Sequence, residues 1–239
     1  MKKNKNYERI IQASIALFNQ YGEPYVSTNH IGDYLSISPG NIYYYFRNKE
    51  EIIADIFKRC ENDLMKLVDE ASPEVQWSVH VALNYLNQIF QVIWHYRFLF
   101  TDISYLINKN ERIKALQLNY AGKIKPILHH YIDSCMRSGF IQCSKVEQNF
   151  IQDNLWLVVR YWYGYDKMIH GELQEDSCLR GSLQALSLVK PYLKKVDQKI
   201  VEQLYFTGEG SELLLQQQPV ADVIASHRGC LLYTSPSPR

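Results

Sequence analysis

Three adjacent tyrosines, Tyr43, Tyr44 and Tyr45, follow Asn41 and precede Lys49, and together these residues offer the two kinds of contact that a nucleic-acid duplex rewards. A side-chain amide can read a base edge, whereas phenol hydroxyls and an ammonium suit phosphate oxygens. Consecutive helical positions point about 100° apart, so three neighbouring rings cannot all be buried on one face. If Ile42 and Phe46, four apart, hold the core, then Asn41, Tyr44 and Tyr45 face solvent beside a helix N-terminus that favours phosphate. Gly40 would let the backbone come close to a partner. The plainer alternative is a structural helix that happens to be rich in tyrosine.

Other chemistries find little support. His129 and His130 are adjacent, which prevents both from reaching one ion on a helix, and His170 suits the last turn of a helix, where a cation is favoured. The five cysteines, at positions 60, 135, 143, 178 and 230, show no paired ligand spacing and are expected to be small buried hydrophobes. No GxSxG, HExxH, Gly-rich phosphate loop or catalytic cysteine signature occurs. No catalytic residue, metal or cofactor is expected.

The elements that must position Asn41 and the tyrosines run from Ser27 to Lys49. Thr28 is expected to cap a first short helix carrying Ile31 and Leu35. Ser36, Ile37 and Ser38 form the turn, with Ile37 plugging inward. Ser38 then caps a second helix that has Pro39 at its first position, where a missing N–H costs nothing. Helix, three-residue turn and capped helix is the layout of a helix-turn-helix, whose second helix lies in a DNA major groove. A preceding helix, Asn6 to Tyr21, places Ile10, Ser14, Leu17, Phe18 and Tyr21 on the face that must cover this pair, because two short helices cannot stabilise themselves. Gly22 fits the position just past its end.

From about Tyr7 to Phe57 the chain resembles the DNA-binding domain of the TetR family of transcriptional regulators, through RIIQASIALFNQYG, STNHIGDYLSIS and PGNIYYYFRNKEEII. The family's most recurrent stretch, an aliphatic residue, a run of aromatics, a basic or polar pair, Lys and an acid, is matched by Ile42 through Glu50. The chain departs from it at Ser36, where Gly is common, and at Tyr45, often His. Ser36 is therefore expected in a left-handed conformation that needs support from its surroundings. The resemblance implies that Lys49 contacts phosphate, that the chain dimerises through its late helices, and that a small molecule controls DNA binding. On this reading Pro39, Gly40, Asn41, Tyr43, Tyr44 and Tyr45 approach the major groove with Ser38 at their helix start, Asn41 reads a base edge, and Thr28, Tyr44 and Lys49 position phosphates.

A chain of 239 residues with 46% hydrophobic content can bury a substantial core, while a net charge of only +1 gives no whole-molecule pull on nucleic acid, so the evidence must be local. Lys2, Lys3, Lys5 and Arg9 form a short basic arm. Met1 is followed by no apolar run, and Leu155 to Tyr165, the longest strongly apolar stretch, is interrupted by Arg160 and too short to span a bilayer. A cytoplasmic protein that does not cross membranes is expected.

Further along, Asn48 with Glu51 begins a connecting helix through about Val68. Ser72 and Pro73 open a helix to about His95, a short aromatic segment runs from Tyr96 to Ile107, and Asn108 to Asn110 breaks it. A helix from Glu111 to Arg137 contains Pro126, which predicts a kink. Ser144 and Glu147 cap a helix to His170 that is apolar around most of its circumference and should be buried on several sides. A helix from about Glu175 to Val189 follows, ending before Pro191. These last two, at 144–170 and 175–189, are the candidate homodimer interface.

Buried Tyr and Trp must each satisfy a polar atom, so a large aromatic cluster suits a ligand cavity better than a solid core. Tyr85, Phe90, Trp94, Phe100, Tyr105, Tyr120 and Trp156 are the candidate lining, for an apolar or aromatic effector. The expected architecture is all-α: a DNA-binding helix-turn-helix domain at 1–48, a connecting helix at 49–70, a ligand-binding and dimerisation domain at 71–206, and an irregular tail at 207–239. The closing GCLLYTSPSPR looks like translated adapter or vector sequence. The functional expectation is a dimeric repressor that binds palindromic double-stranded DNA and is released by a small-molecule effector. The rival from another class is a helical small-molecule-binding or enzymatic protein that uses its N-terminal head as a protein-interaction module.

Overall fold

The computed structural model describes residues 5–70, 76–101, 103–174 and 176–207. Among them there are eleven α-helices, two 3-10 turns and no strand, so the protein is all-α. The first helix, α1 (Lys5–Tyr21), buries Ile10, Ile11, Ile15, Leu17 and Phe18. Tyr21, expected on that face, is instead exposed, because the chain leaves the helix at Gly22 (φ 85°), whose N–H donates to the Phe18 carbonyl. A 3-10 turn at Glu23–Tyr25 leads to α2 (Thr28–Leu35) and α3 (Pro39–Tyr45). Ile31, Ile42 and Phe46 fill the space between these helices and α1, and fully burying one such side chain stabilises the fold by about 1.5–3 kcal/mol.

The connecting helix, α4 (Lys49–Glu70), packs on α1 at one end and on later helices along its length. Asn48 Oδ1 accepts the Glu51 N–H as expected, but the Glu51 carboxylate reaches back to the N–H of Arg47 rather than Asn48. Ser72 and Pro73 lie outside the described residues. The next helix, α5 (Val79–His95), starts later than the Ser72-Pro73 signal suggested, because Ser78 Oγ accepts the Val81 N–H and Trp77 precedes the helix. The aromatic segment folds as α6 (Phe98–Thr101) and α7 (Ile103–Lys109), and Asn110 then caps α8 (Glu111–Arg137), which runs unbroken through Pro126. Ser144 and Glu147 form the expected reciprocal cap of α9 (Lys145–His170), and Gly171 (φ 80°) stops it. Asp176 precedes α10 (Ser177–Val189), and a 3-10 turn through Pro191 joins it to α11 (Lys195–Thr207). α11 is a helix the sequence reading did not anticipate. It buries Val201 and Leu204 against the body. The tail beyond Thr207, with Cys230 and GCLLYTSPSPR, lies outside the described residues.

One continuous core runs from α1 through α4 into the centre of the molecule, where Phe90, Phe98 and Tyr163 are fully buried. A second core joins α5, α8, α10 and α11 around Leu83, Ile132, Leu186 and Leu204. Polar links tie the N-terminal helices to the rest. The Asn19 amide donates to the His95 carbonyl at 2.8 Å and accepts from the Phe98 N–H at 3.1 Å. Tyr96 OH donates to Asp63 on α4 at 2.7 Å. The Lys109 ammonium lies 4.0 Å from Glu23. Among the described residues no helix is long and apolar enough to cross a membrane, and no His, Cys, Asp and Glu group is arranged to hold a metal ion.

Candidate nucleic-acid interface and effector cavity

The helix-turn-helix is built by local hydrogen bonds. Ser27, not Thr28, caps α2: its Oγ accepts the His30 N–H at 3.2 Å, and His30 Nδ1 accepts the Ser27 N–H at 3.3 Å. Thr28 is thereby the first helical residue, and its hydroxyl is free to meet Tyr43 OH at 3.1 Å. Ser36 adopts the left-handed conformation (φ 55°, ψ 43°), held by its N–H to Asp33 and Gly32 carbonyls. Gly32 lets the turn lie flat on α2, since a Cβ there would stand 3.1 Å from the Ile37 carbonyl oxygen. Ser38 starts α3 but makes no side-chain cap bond; its Oγ instead accepts the Asn41 amide at 3.2 Å.

α3 presents Ser38, Pro39, Gly40, Asn41, Tyr43 and Tyr44 to solvent and buries Ile42 and Phe46. Tyr44 is 80% exposed. Tyr45 departs from expectation: it is half-buried, edge-on to Tyr7 at 6.1 Å, because Tyr7 of α1 stacks on Phe46 at 5.0 Å and draws that side of α3 inward. A network unforeseen in the sequence fixes this platform. Arg59 of α4 grips both Glu8 oxygens at 2.7 and 3.1 Å and Asp55 at 2.6 Å, and Asp55 accepts the Tyr7 hydroxyl. Burial, reinforced by the Asp55 carboxylate, pushes the Tyr7 phenol up to about 12.

Lys49 is the second departure. Its ammonium donates to the Glu23 and Val26 carbonyls, each at 2.9 Å, and pairs with the buried Glu23 carboxylate at 2.7 Å. Three donors are the whole capacity of an ammonium, so any phosphate reaching Lys49 must displace one of these partners. Arg47 is exposed beside it, in a shallow groove shared with Thr28 and Tyr43.

Behind the aromatic cluster lies an apolar cavity of about 130 Å³ between α5, α8, α9 and α10. Of the candidate lining, Tyr85, Phe100, Tyr120 and Trp156 face it. Phe90, Trp94 and Tyr105 do not: Phe90 packs on Tyr163, and where Gly181 passes it a Cβ would sit 2.6 Å from its ring; Trp94 stacks under the Arg97 guanidinium; Tyr105 stands exposed beside Lys109. Helical twist carries these rings to other faces, and much of the wall is aliphatic, including Ile89, Ile124 and Leu128. Arg160 also lines the cavity, 4% exposed, with its guanidinium carbon 4.7 Å from the Phe100 ring centre. The visible signal was an arginine one turn after Trp156 inside an otherwise apolar run. Burial lowers its pKa from the usual arginine value.

α9 is not enclosed on several sides as expected. Phe150, Leu157, Tyr161, Tyr165, Met168 and Ile169 are all exposed, because the neighbours within this chain cover only its other face.

An all-α fold in which a solvent-facing α3 follows α2 across a tight turn has the layout of a helix-turn-helix DNA-binding protein. Residues 10–56 match the profile described as bacterial regulatory proteins, tetR family, and residues 59–199, more than half the chain, match the TetR profile described as bacterial transcriptional repressor. The chain belongs to the TetR family of transcriptional regulators, and it is a regulator rather than an enzyme. It is similar to a TetR-family regulator of Marinobacter aquaeolei VT8, with a TM-score of 0.75 and 28% identity over 88% of this chain and 99% of that one. The fold is also similar to that of SmeT in its triclosan complex, with a TM-score of 0.58 and 17% identity over 80% and 93% of the two chains. The fatty acid metabolism regulator protein of Bacillus subtilis (strain 168) is 23% identical over 150 residues, 62% of this chain and 74% of that protein.

Proposed function

We propose that this regulator is a homodimeric repressor that binds a roughly palindromic operator and is released by a small apolar effector. The observation that carries this reading is the outward face of α3, where Asn41, Tyr43 and Tyr44 stand exposed while Ile42 and Phe46 anchor the helix from behind. Asn41 reads a base edge once it leaves Ser38, Gly40 admits the backbone, and Thr28, Tyr43, Tyr44 and Arg47 meet phosphates. Lys49 acts from inside, holding Glu23 and the chain before α2. Residues 1–48 form the DNA-binding head, α4 the connector at 49–70, and 71–206 the effector and dimer body. Two heads on one dimer require half-sites about one helical turn apart or more.

The description of the matching profile as a repressor supports the sign of regulation. The apolar cavity supports an effector, and the relative named for fatty acid metabolism is consistent with an apolar one. The exposed apolar face of α9 supports the dimer. The effector must favour the DNA-free geometry by a few kcal/mol to release operator decisively. As a DNA-bound regulator the protein works in the cytoplasm.

Selection of bound sequences from random duplex DNA tests the assignment, with a symmetric consensus as the expected result. Tyr44→Ala should then weaken binding to that consensus by roughly tenfold, about the effect of losing one good contact, while leaving thermal stability unchanged. No enriched sequence, or undiminished binding by Tyr44→Ala in a mobility-shift assay, would count against α3 as the reading helix.

A further inference from the structure

Arg160 is a buried cation with no counter-ion among the described residues. Its Nη1 has no hydrogen-bond partner among the described residues, and its Nη2 reaches only the Gln117 amide oxygen, at 3.4 Å, the outer limit of such a bond. The groups that act on it electrostatically are the Tyr161 and Tyr120 phenols and the Cys60 thiol, and burial keeps the last two neutral by raising them. The Phe100 ring beneath the guanidinium offsets part of the desolvation. A planar fork at the wall of an apolar cavity, with Nη1 unsatisfied and Nη2 held only by that long bond, is matched by a carboxylate, which accepts two parallel N–H bonds and can displace the Gln117 oxygen.

We propose that Arg160 anchors the carboxylate of the effector, so that the ligand class is a small monoanionic acid with an apolar body. The body is limited to about six carbon atoms, since an apolar cavity of about 150 Å³ accommodates a benzene ring and this one measures about 130 Å³. Arg160 also borders a smaller pocket against Phe57, Cys60 and Glu61 of α4. Drawing the guanidinium towards a ligand therefore changes what α4 packs against, which connects the anion to the helix that leads to α3. This identification rests on the effector-released reading above.

Binding of hexanoate and benzoate, each compared with hexan-1-ol or benzyl alcohol, is measured calorimetrically on the full-length protein. The carboxylates are expected to bind at least about tenfold more tightly than the matched alcohols, as a charge-assisted bidentate pair does against a neutral one. In Arg160→Met, which keeps length and apolar bulk, that preference should vanish while the alcohols still bind; Arg160→Lys, a point charge without the fork, should fall between. Equal binding of acid and alcohol by the wild type, no binding of any of the four, or an undiminished preference in Arg160→Met overturns the proposal. The wild-type comparison stands even if a variant fails to fold. Operator release by the same ligands is scored separately: carboxylates that bind without releasing DNA leave the anchor in place and refute the effector-released reading instead.

Discussion

Glu23 is a carboxylate 1% exposed, with the Lys49 ammonium 2.7 Å away and one oxygen otherwise unpartnered among the described residues. Removing Lys49 leaves that charge buried with only the more distant Lys109 ammonium, at 4.0 Å, to offset it, and breaking such a pair from one side costs on the order of 3 kcal/mol. Lys49→Ala is therefore expected to lower the urea midpoint clearly, with Lys49→Met plus Glu23→Gln recovering most of the loss. A single variant as stable as wild type, weakened only in DNA affinity, would return Lys49 to phosphate. The contrast with Tyr44 shows what the sequence could reveal. Tyr44 and Asn41 were legible because helical geometry alone leaves a third ring nowhere to go but outward. Tyr45 and Lys49 were not, since their directions depend on Tyr7 and Glu23, which approach from other elements. Arg160 was visible as an interruption, but only the fold reveals that no described residue neutralises it.

Helix bounds were legible wherever the capping chemistry was singular. Ser144 with Glu147, Gly171, and the Glu111–Arg137 span all fell where the side chains indicated. α5 was misplaced because Ser72-Pro73 and Ser78 are equally good starts in isolation, and the interior packing of Val79 and Leu83 decides between them. α11 was missed because Pro191 reads as a stop, whereas here it only turns the chain. Helices approach closely at Gly181 of α10, where a Cβ would fall 2.6 Å from Phe90 and 2.7 Å from Trp162. Neither ring can swing away cheaply: Phe90 is fully buried and Trp162 Nε1 donates to the Ser177 carbonyl. Gly181→Ala should accordingly destabilise by about 1–3 kcal/mol, the usual cost of overpacking, read as a shifted denaturation midpoint. An unchanged midpoint would mean that α5, α9 and α10 are free to spread.

The proposed dimer follows from what α9 leaves bare. Its apolar circumference was plain in the sequence, but which arc the same chain covers was not, because that depends on where α5 and α10 come to rest. Leu157→Glu with Tyr161→Glu places two charges in the uncovered arc without touching the core. Sedimentation should then find monomers, and operator affinity should fall by at least about tenfold as the second head no longer binds intramolecularly. A dimer that survives both charges would move the interface elsewhere. Asn19 adds a consequence for modularity. Its one amide clasps the His95 carbonyl and the Phe98 N–H, and both partners are main-chain groups that any side-chain sequence supplies. A reading head transplanted onto a foreign trunk would thus keep its seat if it brings an amide at position 19 and meets a bend of the same shape. A chimera lacking either should still grip operator yet ignore inducer, a deafness that a gel titration with and without inducer exposes.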